Sequence, residues 1–134
     1  MTGILLLTHG RFCEGLAESV EMFMGEVEKM EYLKLCSDDD VAVYRKQVME
    51  YVQRLDDGDG VLVLTDLLGG SPYNVAASCL NQISAECITG LNLPMVLEAL
   101  EMRESMPVQE LAEHCIKAAA GGIINVRKHL ELEN

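Results

Sequence analysis

VLVLTDLLGGSPYN, at residues 61–74, contains the clearest pattern of a buried strand followed by a helix. Its first four residues are continuously apolar, which predicts a strand buried on both faces. After Asp66 the chain passes through Gly69 and Gly70 to Ser71-Pro72, a pair that predicts a helix with serine as its cap and proline at its first position. A buried strand that leads directly into a helix is the repeating unit of a parallel α/β sheet.

The same alternation of strands and helices extends through the rest of the chain. Apolar or alternating runs predict three further strands, at residues 4–7, 30–36 and 87–89, and a final short strand at residues 123–126. We therefore expect one doubly wound α/β domain over residues 1–134. Its sheet is predicted to be mostly parallel, in the order 2-1-3-4 plus the short C-terminal strand, with helices on both faces.

Apolar residues at helical spacing predict the helices between these strands. The first helix is expected to end at Gly25 and the second to be capped by Ser37, while the third runs from the Ser71 cap. The remaining helices are predicted at residues 95–102 and 108–120. The buried stripe of the first helix is predicted to consist of Phe12, Leu16, Ala17, Val20, Phe23 and Met24.

The composition excludes several classes of function. The chain has 22 acidic and 10 basic residues, a net charge of −12, which disfavours nucleic acids and anionic membrane surfaces but permits a basic protein partner. None of its five cysteines forms a Cys-x-x-Cys pair, and we expect no metal and no cofactor. The odd cysteine count, the absence of a basic leader and the short apolar runs predict a cytoplasmic protein without direct membrane insertion.

Two potential catalytic side chains follow neighbouring strands of the predicted sheet. His9 lies at the carboxyl end of the first strand and Asp66 at that of the third. In the order 2-1-3-4 these ends flank the topological switch point, where open α/β sheets bind ligands. A carboxylate that holds one ring N–H fixes the histidine tautomer and leaves the other nitrogen as a nucleophile. We therefore predict that His9 and Asp66 are in contact and act together.

Glycines and hydroxyl side chains around this pair suit an anion. Free backbone N–H groups at helix starts can cradle a phosphate, and hydroxyl groups can add further donors. A nucleophilic imidazole beside such a cradle is suited to accept a phosphoryl group. The candidate phosphate-binding residues are Thr8, Gly10, Thr65, Gly69, Gly70 and Ser71.

Three blocks of the sequence also resemble a known family. LLTHG (6–10), LTDLLGGSPYN (64–74) and TGLNLPM (89–95) are similar to the signature blocks of the mannose-family IIA domain of the bacterial sugar phosphotransferase system. The resemblance implies that His9 carries the phosphoryl group and that Asp66 orients it. It further implies that Ser71 contacts the phosphate and that the third block forms a wall of the site through Asn92 and Pro94.

The resemblance also implies partners. The phosphoryl group would arrive from the histidine-containing phosphocarrier protein and leave to a IIB subunit, without a metal. It implies a homodimer that exchanges the C-terminal strand, and membrane association only through IIC and IID partners. Two features differ from the family pattern: Cys13 stands where a smaller residue is expected, and the chain ends at Asn134 without a IIB domain, so we expect IIB to be a separate chain.

Other functions remain open at this point. A phosphocarrier subunit of a dihydroxyacetone kinase shares the histidine block but lacks the Gly-Gly-Ser-Pro form of the second block. A receiver-like domain needs clustered acids after the first strand, and a small hydrolase needs a further base or a metal. In a non-catalytic dimeric binding module, His9 would be structural. The acidic turn at residues 56–60 lacks the glutamate of a calcium loop at its twelfth position, and the sugar is not identified by the sequence.

Overall fold

The computed structural model describes residues 1–132 and contains a parallel sheet covered by helices. Its four strands pair in the predicted order β2-β1-β3-β4, and every pairing is parallel. The strands are β1 (Gly3–His9), β2 (Met30–Leu35), β3 (Val61–Thr65) and β4 (Ala85–Ile88). The helices are α1 (Phe12–Met24), α2 (Val41–Leu55), α3 (Ser71–Cys79), α4 (Leu93–Met102), α5 (Val108–Gly121) and α6 (Val126–His129).

The two central strands divide the core into two layers, because successive side chains of a strand point to opposite faces. Ile4 and Leu64 belong to the layer covered by α1, α4 and α5, whereas Leu5 and Val63 belong to the layer covered by α2 and α3. All four side chains are fully buried, which explains the continuous apolar runs in the sequence. Helices therefore cover both faces of the sheet, as predicted.

The buried stripe of α1 is narrower than predicted. Leu16 and Val20 are buried together with Cys13, and Gly25 ends the helix as expected. Phe12 and Phe23, at the margin of the stripe, are instead 47% and 66% exposed. Met24 in the last turn is also exposed. The helical spacing of the apolar residues correctly indicates a helix, but Phe12, Phe23 and Met24 at its two ends contribute little to the core.

The caps of α2 and α3 differ from the predicted residues, the first by three positions toward the helix and the second by one position away from it. Asp40 caps α2 in place of Ser37, because its Oδ1 accepts the N–H of Ala42 at 2.8 Å. Gly70 is the cap residue of α3, and its carbonyl accepts the N–H of Asn74 at 2.9 Å. Ser71 is therefore the first residue inside α3 rather than its cap.

The predicted C-terminal strand at residues 123–126 is not present in this chain. Residues 123–125 have no regular structure, and Val126 begins the short helix α6. The side chain of Asn125 accepts the N–H of Lys128 at 3.2 Å, which favours a helical turn. Over residues 1–132 the sheet has four strands, and none of them pairs with this segment.

Candidate functional site

His9 and Asp66 meet at the carboxyl edge of the sheet. β1 and β3 are direct neighbours, so the residues at their carboxyl ends lie side by side. The ring Nδ1 of His9 lies 2.9 Å from Asp66 Oδ2, and the backbone N–H of His9 donates to the same oxygen at 2.9 Å. The predicted contact is therefore present, and it involves both the backbone and the ring of the histidine.

This contact determines the tautomer of the His9 ring. An ionised carboxylate only accepts hydrogen bonds, so Nδ1 carries the proton and Nε2 bears the lone pair when the ring is neutral. The Asp66 side chain is 13% exposed, whereas that of His9 is 48% exposed. A largely but not fully buried acid thus holds one edge of an accessible imidazole.

Gly70 lies against the other edge of the ring. A Cβ atom at this position would stand 2.5 Å from His9 Cε1 and 3.1 Å from Nε2. Only glycine therefore allows the present position of the imidazole. The sequence suggested a different role for Gly70, as a donor to phosphate, but its N–H donates to the carbonyl of Leu67 at 3.1 Å.

The other candidate glycines form turns rather than a complete cradle. Gly10 has a φ of +54° and Gly69 a φ of +84°, a left-handed region that glycine enters without steric cost. The N–H of Gly10 donates to the carbonyl of Leu35 at 2.7 Å. Gly10 and Gly70 therefore shape the loops around His9, but their N–H groups have acceptors within the protein.

The structure does not bring the hydroxyl groups of Thr8 and Thr65 to the site. Both side chains are fully buried. Thr8 Oγ1 accepts the N–H of Cys13 at 2.9 Å and lies 3.4 Å from the carbonyl of Gly10, to which it donates. Thr65 Oγ1 donates to the carbonyl of Ile88 at 3.4 Å. Thr8 thus connects β1 to the start of α1, whereas Thr65 connects β3 to the end of β4, and neither hydroxyl is available as a phosphate donor.

Ser71 borders an open cleft next to His9. The cleft has a volume of about 570 Å³, and both side chains contribute to its lining. As the first residue of α3, Ser71 has a backbone N–H without an acceptor in its own helix. This N–H and the Ser71 hydroxyl are thus the candidate anion donors of the predicted set.

Sequence reasoning missed the opposite wall of this cleft. It is formed by the loop from β2 to α2, through Cys36, Ser37 and Asp39, together with Val41 at the start of α2. The strand order contains the signal, because β2 pairs with β1 and also ends at the carboxyl edge. The sequence motifs themselves point only to the loops after β1, β3 and β4.

Comparison with known proteins identifies the family. The sequence model described as "PTS system fructose IIA component" (EIIA-man) matches residues 3–116. The chain belongs to this mannose-type family of IIA components of the phosphotransferase system (PTS). PTS IIA components, as a family, are phosphotransferase carriers.

Individual relatives agree with this assignment. The IIA domain is 29% identical over 133 residues to the fructose-specific EIIA component of Bacillus subtilis (strain 168), covering 98% of this chain and 90% of that protein. It is 30% identical over 122 residues to the mannose-specific EIIAB component of Escherichia coli (strain K12), covering 90% of this chain but only 38% of the relative.

Solved structures show the same fold. The crystal structure of a phosphotransferase system component EIIA from Streptococcus agalactiae has a TM-score of 0.87 and 30% identity, covering 96% of this chain and 99% of that one. The PTS IIA protein associated with the fucose utilization operon of Streptococcus pneumoniae has a TM-score of 0.82 and 33% identity, with 96% of both chains covered.

The third sequence block of the IIA domain stabilises the ends of two helices. Asn92 caps α4, because its Oδ1 accepts the N–H of Met95 at 3.0 Å, and its Nδ2 donates to the carbonyl of Ala119 at 3.2 Å. Gly122 packs closely on Pro94, since a Cβ there would lie 2.8 Å from Pro94 Cγ. The contacts of Asn92 and Pro94 thus join α4 to α5, and neither residue is among those that line the cleft beside His9.

Cys13 is not a reactive thiol of the IIA domain. Its side chain is fully buried, and burial raises the pKa of the thiol, which disfavours the nucleophilic thiolate.

Among residues 1–132, no helix is long and apolar enough to cross a membrane. The same residues contain no group of three or more His, Cys, Asp or Glu side chains that could hold a metal ion.

Proposed function

We propose that residues 1–134 form a single cytoplasmic phosphocarrier domain in which Nε2 of His9 carries the phosphoryl group. The histidine-containing phosphocarrier protein donates this group, and a IIB subunit receives it during sugar uptake. The observation that carries the proposal is the 2.9 Å contact between His9 Nδ1 and Asp66, in a histidine whose side chain is 48% exposed. Membership in the PTS IIA family supports the same chemistry.

The transfer exchanges one N–P bond for another. The lone pair of His9 Nε2 forms a bond to the phosphorus, and the N–P bond of the donor phosphohistidine breaks, returning its electron pair to the donor ring. The His9 ring then has a proton on Nδ1 and a phosphoryl group on Nε2, so it carries a positive charge. Asp66 stabilises this charge, and Ser71 is the proposed donor to the phosphoryl oxygens. Transfer to IIB breaks the His9 N–P bond in the same way.

Assembly is part of the proposal. The exposed apolar residues near the C terminus, including Ile123 and Ile124, support a homodimer in which this segment pairs with a second copy. Association with the membrane would occur only through IIC and IID partners.

A phosphorylation assay tests the proposal. Incubation with phosphoenolpyruvate, enzyme I and the phosphocarrier protein is expected to give one acid-labile, base-stable phosphoryl group, and mass spectrometry is expected to locate it on His9. The His9→Ala variant should acquire none. An adduct on Asp66 would instead indicate a receiver-like domain, and no adduct would indicate a binding module.

The role of Asp66 has its own variant. Asp66→Asn keeps the size of the side chain but removes the charge that stabilises the phosphorylated ring. We expect an unchanged circular dichroism spectrum and phosphoryl transfer slowed by a factor on the order of 10². Transfer at the wild-type rate would exclude Asp66 from the mechanism.

A further inference from the structure

A second carboxylate lies in the cleft beside His9, apart from that of Asp66. Asp39, in the loop between β2 and α2, lines this cleft together with His9 and Ser71. Phosphoryl transfer through His9, Asp66 and Ser71 does not use it. A negative charge in a cleft that receives a negatively charged group therefore requires an explanation.

Two hydrogen bonds hold Asp39 in its place. Its Oδ2 accepts the N–H of Cys36 at 2.7 Å, and its own N–H donates to the carbonyl of Cys36 at 3.0 Å. The turn thus needs an oxygen acceptor at this position, and the amide oxygen of an asparagine would serve it as well as a carboxylate. The turn explains the position of Asp39 but not its charge.

The buried side chain of Tyr44 shows that Asp39 and Asp66 are near each other. Tyr44 is only 2% exposed. Burial, the Cys13 side chain and the carboxylates of Asp66 and Asp39 together raise the pKa of Tyr44. Both acids therefore lie within electrostatic range of one phenol, which places the charge of Asp39 close to the pair of His9 and Asp66.

No cation balances the charge of Asp39. Arg11 and Lys34 adjoin residues of the cleft in the sequence, but both pair with Glu14, at 3.0 and 3.7 Å. Within residues 1–132, none of the ion pairs includes Asp39. Its carboxylate therefore acts on the cleft without a paired cation to weaken its field.

Phosphorylation of His9 makes the cleft more negative. A phosphoryl group has about two negative charges near pH 7, whereas the ring gains only one positive charge when Nε2 forms the N–P bond. Asp66 contacts the ring and stabilises the positive charge. Asp39 lies on the opposite wall, so it repels the phosphoryl group across the cleft.

We propose that the Asp39 carboxylate destabilises phosphorylated His9 and thereby keeps the phosphoryl exchange near balance, so that the accepted group can be passed on. This inference rests on the proposed function of His9. A carrier that bound the phosphoryl group too strongly would accept it but transfer it poorly. Asp66 and Ser71 favour the phosphorylated state, and Asp39 opposes them.

The equilibrium of the exchange tests this role. The IIA domain is mixed with purified phosphorylated phosphocarrier protein, without phosphoenolpyruvate, enzyme I or IIB, and both phosphorylated proteins are quantified by ³¹P NMR. We expect the equilibrium constant for phosphorylation of the IIA domain to rise about threefold in Asp39→Asn. Contacts made only in the complex of the two proteins change the forward and reverse rates equally, so they cancel from this constant.

Two control variants accompany Asp39→Asn. Asp39→Glu retains the charge in the cleft, and Glu110→Gln removes an equal charge from the start of α5, a helix that does not line the cleft. Both should keep the equilibrium constant within about 1.5-fold of the wild type, because salt screens distant exposed charges. Circular dichroism should show the same folded state in all three variants.

High salt separates the effect of charge from that of shape. In 1 M NaCl the Debye length is about 3 Å, so the difference between Asp39→Asn and the wild type should shrink below about 1.5-fold. An unchanged constant in Asp39→Asn, an equal rise in Glu110→Gln, or a rise that persists in 1 M NaCl would overturn the role of Asp39. Absence of phosphorylation in the wild type would overturn the proposed function itself, so the two failures are distinguishable.

Discussion

At the scale of single residues, Gly70 leaves room for the His9 ring because it has no side chain. In Gly70→Ala the new Cβ would stand 2.5 Å from His9 Cε1, so the imidazole must move away. A displacement of this kind misaligns Nε2 with the phosphorus, and we expect transfer at saturating donor to slow by a factor on the order of 10². The measurement is single-turnover phosphorylation together with the ¹⁵N chemical shifts of the ring, which should also change.

Gly121→Ala is the control for this variant. It lies at the end of α5, where a Cβ would meet nothing within 4 Å, and it should leave the transfer rate and the ring signals unchanged. Wild-type transfer in Gly70→Ala would show that the ring tolerates the added methyl group, which would exclude Gly70 as a positioning residue.

The sequence predicted the pair at the centre of the site but not the set of groups around it. The contact between His9 and Asp66 follows from strand order, because neighbouring parallel strands end at the same edge. Whether a hydroxyl group at a strand end faces the cleft or the interior depends on side-chain direction, which the residue type does not reveal. Thr8 and Thr65 are fully buried for this reason, although their positions in the sequence resemble those of site residues.

At the scale of elements, Thr8 connects β1 to α1. Its hydroxyl accepts the N–H of Cys13 at 2.9 Å, and Thr8→Val would leave this buried N–H without a partner. We expect the free energy of unfolding to fall by about 1–3 kcal/mol, as measured by urea denaturation, while kcat for phosphorylation changes less than twofold. Thr8→Ser retains the hydroxyl and should lose less stability. A valine variant with wild-type stability and impaired transfer would instead support a phosphate contact.

Helix boundaries show where local sequence is ambiguous. Ser37, Asp38, Asp39 and Asp40 are all of residue types that favour the N-cap position. N-cap preference alone therefore cannot choose among them. The choice depends on the loop that returns from β2, in which Asp39 accepts the N–H of Cys36 at 2.7 Å and leaves Asp40 to cap α2. The type and order of the elements follow from periodicity, whereas their ends depend on such tertiary contacts.

At the scale of the whole molecule, some features depend on groups that are distant in sequence. Arg103 is only 8% exposed, and its guanidinium donates to the carbonyls of Thr2, Glu28 and Lys29. It thereby ties the end of α4 to the chain just before β1 and β2. No motif indicates this role, because the acceptors are backbone carbonyls, which every residue has.

The C-terminal segment differs from the buried Arg103, because its large apolar side chains are exposed. Ile123, Ile124, Val126, Leu130 and Leu132 are between 51% and 75% exposed. The apolar side chains of Ile123, Ile124 and Val126 predict a strand, but a strand needs a hydrogen-bonding neighbour, and the described sheet has none beside this segment. A second copy of the chain would supply both the neighbour and the apolar cover, which is the basis of the proposed homodimer.

We therefore predict that the residues that follow α5 determine the oligomeric state. Light scattering is expected to give a mass near twice 14.8 kDa for the full chain and near the monomer mass for Ile123→Asp/Ile124→Asp. Two buried carboxylates without partners would prevent association, because burying an unpaired charge is costly. The Tm of the wild type should rise with protein concentration, and that of the variant should not, since association stabilises only the folded dimer. A full chain that is monomeric at high concentration would contradict the dimer. A dimeric Ile123→Asp/Ile124→Asp variant would place the interface on another apolar surface, such as the exposed end of α1 at Met22 and Phe23.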